Sequence, residues 1–232
     1  MEAVEICYVI HLPDGERAEH RLSFDAETME NLTPVARELP PWTKLNFCQC
    51  PNCPLTLDSH PNCPLTARLA PLVQGVCHLA STVEMSVEVI TAERTVSKTA
   101  QSQEILSSLI GLLAATSGCP HMDFFRPMAR FHLPLASLEE SLYRVMSMYA
   151  LAQVIRRRRG LQPDFDFHDL AKRYEEVEKV NRSMIERLRV ASRRDLTINA
   201  FVLLDMLGKT LPAMALDDAQ EVESLFEGYL AD

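Results

Sequence analysis

The chain has 232 residues, 47% of them hydrophobic, and a formal net charge of −9. That is enough apolar side chain for one large or two small packed domains and too much for a disordered chain. The acidic balance speaks against a nucleic-acid partner. No apolar run approaches the roughly eighteen residues of a membrane span, and Met1-Glu2-Ala3-Val4-Glu5 carries acids where a secretory signal carries bases.

A cytoplasmic location is therefore expected. There the seven cysteines read as thiols or metal ligands rather than as disulfides. The charge is uneven: residues 101–160 hold 7 basic and 4 acidic side chains, the only net-basic part of the chain.

Glu5–Leu12 reads as a strand and Ala18–Phe24 as its partner, joined by the turn Pro13-Asp14-Gly15. Pro40-Pro41 breaks the chain before Thr43–Phe47, a short strand candidate leading to Cys48 and Cys50.

The next stretch holds the main signal. The hexapeptide Pro-Asn-Cys-Pro-Leu-Thr occurs at 51–56 and again at 61–66, preceded by Cys50 in the first copy and by His60 in the second. The spacing C-x2-C-x6-H-x2-C lets two ligands three positions apart grip one ion from a tight turn, while the second turn closes from the other side. Cys50, Cys53, His60 and Cys63 thus read as a Cys3His set, a common closed zinc site. Cys50, Cys53, Cys63 and Cys119 are each followed by proline, which stiffens the presentation of the thiol. Pro54 and Pro64 also remove amides that often donate to zinc-bound sulfur, which favours a further ligand from outside the repeat. Cys7 and Cys77 read as buried thiols, and Cys48 fits either group.

Val83–Ile90 and Arg94–Lys98 form a second expected hairpin, with Val83, Met85, Val87 and Val89 alternating against polar neighbours. Beyond residue 100 the period becomes helical. Gln103–Thr116 is a helix stopped near Gly118. Ser117-Gly118-Cys119-Pro120-His121 then puts a thiol and an imidazole within three residues, and both Cys119 and His121 are candidate metal ligands. A Cys50/Cys53/Cys63/Cys119 set suits an iron–sulfur cluster as the alternative to zinc. Just beyond, Arg126 and Arg130 share a helical face, where they suit neutralising a metal–thiolate centre or binding a small anion.

Ser137-Leu138-Glu139-Glu140 opens a helix running to Arg159 and closed by Gly160. Phe167–Ala191 is the next helix. Its heptad seam, Leu170, Tyr174, Val177, Asn181, Met184, Leu188 and Ala191, suits packing on the 138–159 helix, or a homodimer with Asn181 setting register. Residues 195–207 and 217–230 complete the helices. The expected fold class is α+β: a β-rich domain at 1–100 with antiparallel hairpins and a Cys/His/Pro-rich metal loop at 48–66, then an α-helical domain at 101–232.

The run SGCPHMDFFRPMARFHLPLAS, with CPNCPL upstream, resembles an uncharacterised bacterial protein family, a domain of unknown function. The resemblance spans most of the chain and implies no activity, substrate or ligand.

Three functions stand as expectations. The first is a structural or regulatory protein built on a closed zinc site, with room for a protein partner. The second is an iron–sulfur redox or sensor protein. The third is a metal-dependent hydrolase using His168 and Asp169, with His132 and Asp195 or Asp205 as further ligands. No phosphate loop, dinucleotide fingerprint, H-E-x-x-H or G-x-S-x-G occurs, so a non-enzymatic role leads.

Overall fold

Glu5–Leu12 and Ala18–Phe24 pair as expected. In the computed structural model, which describes residues 2–76, 78–192, 194–216 and 223–230, they form β1 (Ala3–His11) and β2 (Arg17–Asp25). A second hairpin, β3 (Glu84–Ile90) and β4 (Thr95–Gln101), adds to the free edge of β1. The result is a four-stranded antiparallel sheet in the order β2-β1-β3-β4. Cross-strand register puts Tyr8 opposite both His20 and Val89. Alternation then builds one buried face from Ile6, Tyr8, Ile10, Phe24, Met85, Val87 and Val89. Cys7 points to the other face and is half-buried rather than buried. Cys77, also expected to be a buried thiol, lies outside the described residues.

The helices are α1 (Pro64–Val76), α2 (Ser102–Ala115), α3 (Arg126–Arg130), α4 (Leu138–Arg158), α5 (His168–Ala191), α6 (Leu196–Leu216) and α7 (Glu227–Leu230). The α+β order of the sequence is thus the order of the fold. Gln101 is both the last residue of β4 and the N-cap of α2, where Glu104 completes a capping box. The box expected at Ser137 and Glu140 is present, Glu140 N–H donating to Ser137 Oγ at 3.1 Å. The expected helix at 217–230 starts outside the described residues; its described end is a 3-10 turn at Ser224–Phe226 that leads into α7.

Three expectations are corrected. Thr43–Phe47 is not a strand: Pro41–Thr43 forms a 3-10 turn, and only Lys44 makes a bridge, to Asn62. The metal loop ends early, because the second hexapeptide opens α1 with Pro64 as its first residue. The residues after each copy decide between the two conformations. Leu57-Asp58-Ser59-His60-Pro61 is polar and proline-broken, whereas Leu65, Leu69, Leu72, Val73 and Val76 recur at helical spacing and are buried. Third, the Asn181 seam of α5 packs on α6 of the same chain: Asn181 Nδ2 lies 3.4 Å from Asp205 Oδ1. The partner is not the 138–159 helix, and the surface that the heptad offered a second copy is filled within the chain.

Sheet and helices share an apolar core. The buried sheet face meets α1 and α2, α6 packs behind α2, and Val177, Val180, Met184 and Leu188 of α5 close the far side. A second cluster joins Leu142, Val145 and Tyr149 of α4 to Leu170 and Tyr174 of α5 and to Leu211 and Ala215 of α6. Over Leu196–Ala215, α6 reaches a mean hydropathy of 1.2 and is long and apolar enough to cross a membrane by length and composition. That exceeds the sequence expectation, although Asp205 and Lys209, paired at 2.6 Å, interrupt the apolar run.

Candidate metal centre

Residues 44–63 form a loop closed at its base. Leu45 N–H donates to Pro61 O (3.1 Å) and Cys63 N–H to Thr43 O (2.8 Å), beside the Lys44–Asn62 bridge. Inside it, Cys53 N–H donates to Cys50 O (3.0 Å), the tight turn expected for a C-x2-C elbow. Cys63 leads into α1, whose first turn is fixed by Thr66 Oγ1 donating to Cys63 O at 3.1 Å.

The fourth thiol comes from the end of α2. There Ser117 Oγ donates to Ala114 O (2.8 Å) and accepts from Cys119 N–H (3.1 Å), and Gly118 takes φ +85°. A Cβ at Gly118 would lie 4.0 Å from Pro64 Cβ, so this turn sits against the start of α1.

Cys63 and Cys119 are buried, while Cys50 and Cys53 are half-buried. Burial raises the Cys50 thiol, a Ser183 hydroxyl bond lowers it, the neighbouring Cys63 and Cys53 raise it further, and Arg187 lowers it. Cys119 is pushed up to about 12 by burial; a bond from His121 N–H offsets part of this, and Cys63, Cys50 and Cys53 add to it. Cys50, Cys53, Cys63 and Cys119 therefore lie within one another's electrostatic field. Among the described residues, three ligand atoms within 4.8 Å of one another occur at Asp164, Asp166 and His168 alone, so no three of these sulfurs come that close.

Around the thiols stands a shell drawn from α5. His121 Nε2 lies 2.8 Å from Asn52 O, which ties the first elbow to the Cys119 turn. Asn52 Nδ2 donates to Glu176 O (3.0 Å) and Glu176 Oε2 (2.8 Å). Lys179 and then Asn52 hold the Glu176 carboxyl below the usual range. Arg187, 1% exposed, donates to the carbonyls of Trp42 (2.9 Å), Lys44 (2.8 Å) and Leu45 (2.9 Å) at the base of the loop. Sequence pattern does not mark Asn52, Glu176, Ser183 or Arg187. The α5 residues are more than a hundred positions from the loop, and nothing in the heptad points to them.

The remaining expected site residues lie apart from the thiols or have partners of their own. His60 is half-buried, and its Nδ1 contacts Ser59 Oγ at 3.0 Å within its own loop. Arg126 Nη2 donates to Asp123 Oδ1 (3.0 Å) and Nη1 to Thr28 O (3.3 Å), while the Arg130 guanidinium lies over the Phe131 ring at 5.6 Å. Cys48 is exposed at φ +45°. His168 joins Asp164 and Asp166, whereas Asp169 pairs with Lys172 at 3.0 Å. His132, Asp195 and Asp205 each have separate partners: Tyr8, Ser81 and Lys209. Asp164 Oδ2 already accepts from Tyr149 Oη (2.7 Å) and Asp169 N–H (2.8 Å), so the acidic group is part of the α5 entry turn.

Four thiols from two proline-stiffened turns and one helix end are a donor set for a soft or borderline metal. A tetrahedral zinc site, with Zn–S near ~2.3 Å, holds its sulfurs about 3.8 Å apart; a multi-iron cluster spreads its thiolates more widely. No curated protein and no solved structure matches the chain. A family model does match, over residues 6–227. The chain therefore belongs to the family described as a domain of unknown function, DUF6901.

Proposed function

We propose that the protein is an iron–sulfur protein of redox or sensing role, its cluster held by Cys50, Cys53, Cys63 and Cys119. The observation that carries this reading is the gathering of four thiols into one field at spacings wider than three zinc-bound sulfurs adopt. Four cysteines meet the ligand requirement of a cluster without His60. The Ser183 hydroxyl at Cys50 and the His121 amide at Cys119 are hydrogen bonds of the kind that tune cluster potential. A cytoplasmic setting, where thiols stay reduced, suits the assembly.

The test is anaerobic purification, then iron, acid-labile sulfide and zinc analysis with a visible spectrum. Brown protein whose absorption bleaches with dithionite, holding iron and sulfide in equal amounts, is the expected result. Colourless protein with one zinc per chain would overturn the cluster in favour of the closed zinc site, and metal-free protein would overturn both.

A further inference from the structure

On the far side of α2 from the sheet lies a cavity of about 600 Å³, bounded by α2, α3, α4, α5 and α6. That volume falls in the range of small-molecule sites, and its wall is mainly apolar: Leu112 from α2, Val177 from α5, and Phe201, Leu204 and Leu207 from α6. One end is polar. There Arg144 of α4 donates through Nη2 to the carbonyls of Met128 (2.8 Å) and Phe131 (3.2 Å). Burial lowers its guanidinium, and no carboxylate stands within ion-pair distance of it among the described residues. The other two charged groups of the wall are occupied. Glu104 caps Gln101 N–H at 3.1 Å, and Lys98 is exposed and donates to Leu135 O at 3.5 Å.

Beside Arg144 runs a hydrogen-bonded chain. Leu135 N–H, an obligate donor, reaches Ser108 Oγ at 3.0 Å; Ser108 Oγ meets Tyr8 Oη at 2.9 Å; Tyr8 Oη meets His132 Nε2 at 2.6 Å. Burial first, and then the Arg144 charge, pushes His132 down to about 3, so the ring is neutral. The ordering Leu135 to Ser108 to Tyr8 to His132 uses each donor once and leaves the other ring nitrogen, Nδ1, carrying the proton. A cationic fork and a neutral N–H donor thus share one end of an apolar cavity. A single desolvated guanidinium matches one negative charge, which favours a carboxylate over a phosphate dianion.

We propose that this cavity is a binding site for a small amphipathic monocarboxylic acid, its carboxylate at the Arg144–His132 end and its apolar body between α2 and α6. The site is separate from the thiols and does not depend on what they hold. Titration calorimetry on the full chain as purified, with hexanoate, octanoate, decanoate and octanamide as probes, tests it. Affinity is expected to rise about fourfold per added methylene while the cavity fills, from ~0.8 kcal/mol per buried CH2, and octanoate is expected to bind at least tenfold tighter than octanamide. Arg144→Gln should erase the acid-over-amide preference. Leu207→Trp, which fills the apolar end, should weaken every chain length. No binding up to millimolar probe, equal binding of octanoate and octanamide, or affinity independent of chain length would each overturn the site. Should Arg144→Gln fail to fold, the acid–amide comparison in the wild type and the Leu207→Trp titration decide.

Discussion

Arg187 and Trp42 stand 145 positions apart, yet the guanidinium Nη1 donates to the Trp42 carbonyl at 2.9 Å inside the protein. The same side chain serves Lys44 and Leu45, so one residue of α5 satisfies the carbonyls of the turn that launches the cysteine loop. A buried guanidinium is tolerated where its donors are used.

Arg187→Met therefore strands three carbonyls. At roughly 1–3 kcal/mol for each unsatisfied buried acceptor, the variant is expected to lose about 3 kcal/mol or more of stability. Urea denaturation against wild type measures this, and a loss below about 1 kcal/mol would contradict the role assigned to Arg187.

The cysteine series should divide sharply. Cys50→Ser, Cys53→Ser, Cys63→Ser and Cys119→Ser are each expected to abolish stoichiometric metal, whereas His60→Ala retains it. Metal analysis of the purified variants checks this. Full metal in Cys119→Ser together with loss in His60→Ala would restore the repeat-only Cys3His set.

Gly118 holds φ +85° at the turn that delivers Cys119. The left-handed conformation costs a side chain about 1–2 kcal/mol, and the site of the new methyl is open to within 4.0 Å. Gly118→Ala is expected to lower the thermal midpoint by a few degrees through backbone strain alone. Gly15→Ala, in the open β1–β2 turn at φ +86°, provides the control away from the thiols.

His132 gives the protein an acid-side slope. Its folded pKa, near 3, lies below the unfolded value of about 6.5. Between these values the unfolded chain binds the proton and the folded chain does not. Its contribution is complete above pH ~6.5 and declines as pH falls toward 3, by at most about 1.4 kcal/mol per pH unit. Subtracting the urea stabilities of His132→Gln from those of wild type at pH 7, 6, 5 and 4 isolates it, since His20, also lowered by burial, is common to both. A difference that does not change with pH would show that His132 is not held neutral.

Where local pattern and burial agree, the sequence was legible. Both hairpins, α2 and the Ser137 capping box are readable from period and turn chemistry within a residue or two. The gathering of Cys119 toward the loop thiols was visible as a shared Cys-Pro pattern. The opening of α1 by the second hexapeptide was not, because the same six residues precede two different continuations and only the apolar spacing after Thr66 separates them. The partner of the Asn181 seam was also hidden: a heptad names a buried face but not the helix that buries it. Ser183 and Arg187 were invisible for a related reason, since their partners are backbone atoms and a thiol brought near only by the tertiary fold.

Cys63 and Cys119 are 56 positions apart, and the segment between them contains α1, the β3–β4 hairpin and α2. An occupant bonded to both turns that segment into a covalent ring. A cross-link of this span removes about 4 kcal/mol of unfolded-chain freedom in the loop-entropy account. Stripping the centre with a chelator should then loosen the middle strands and the central helix together, and their amide exchange would report the loss as a single cooperative opening.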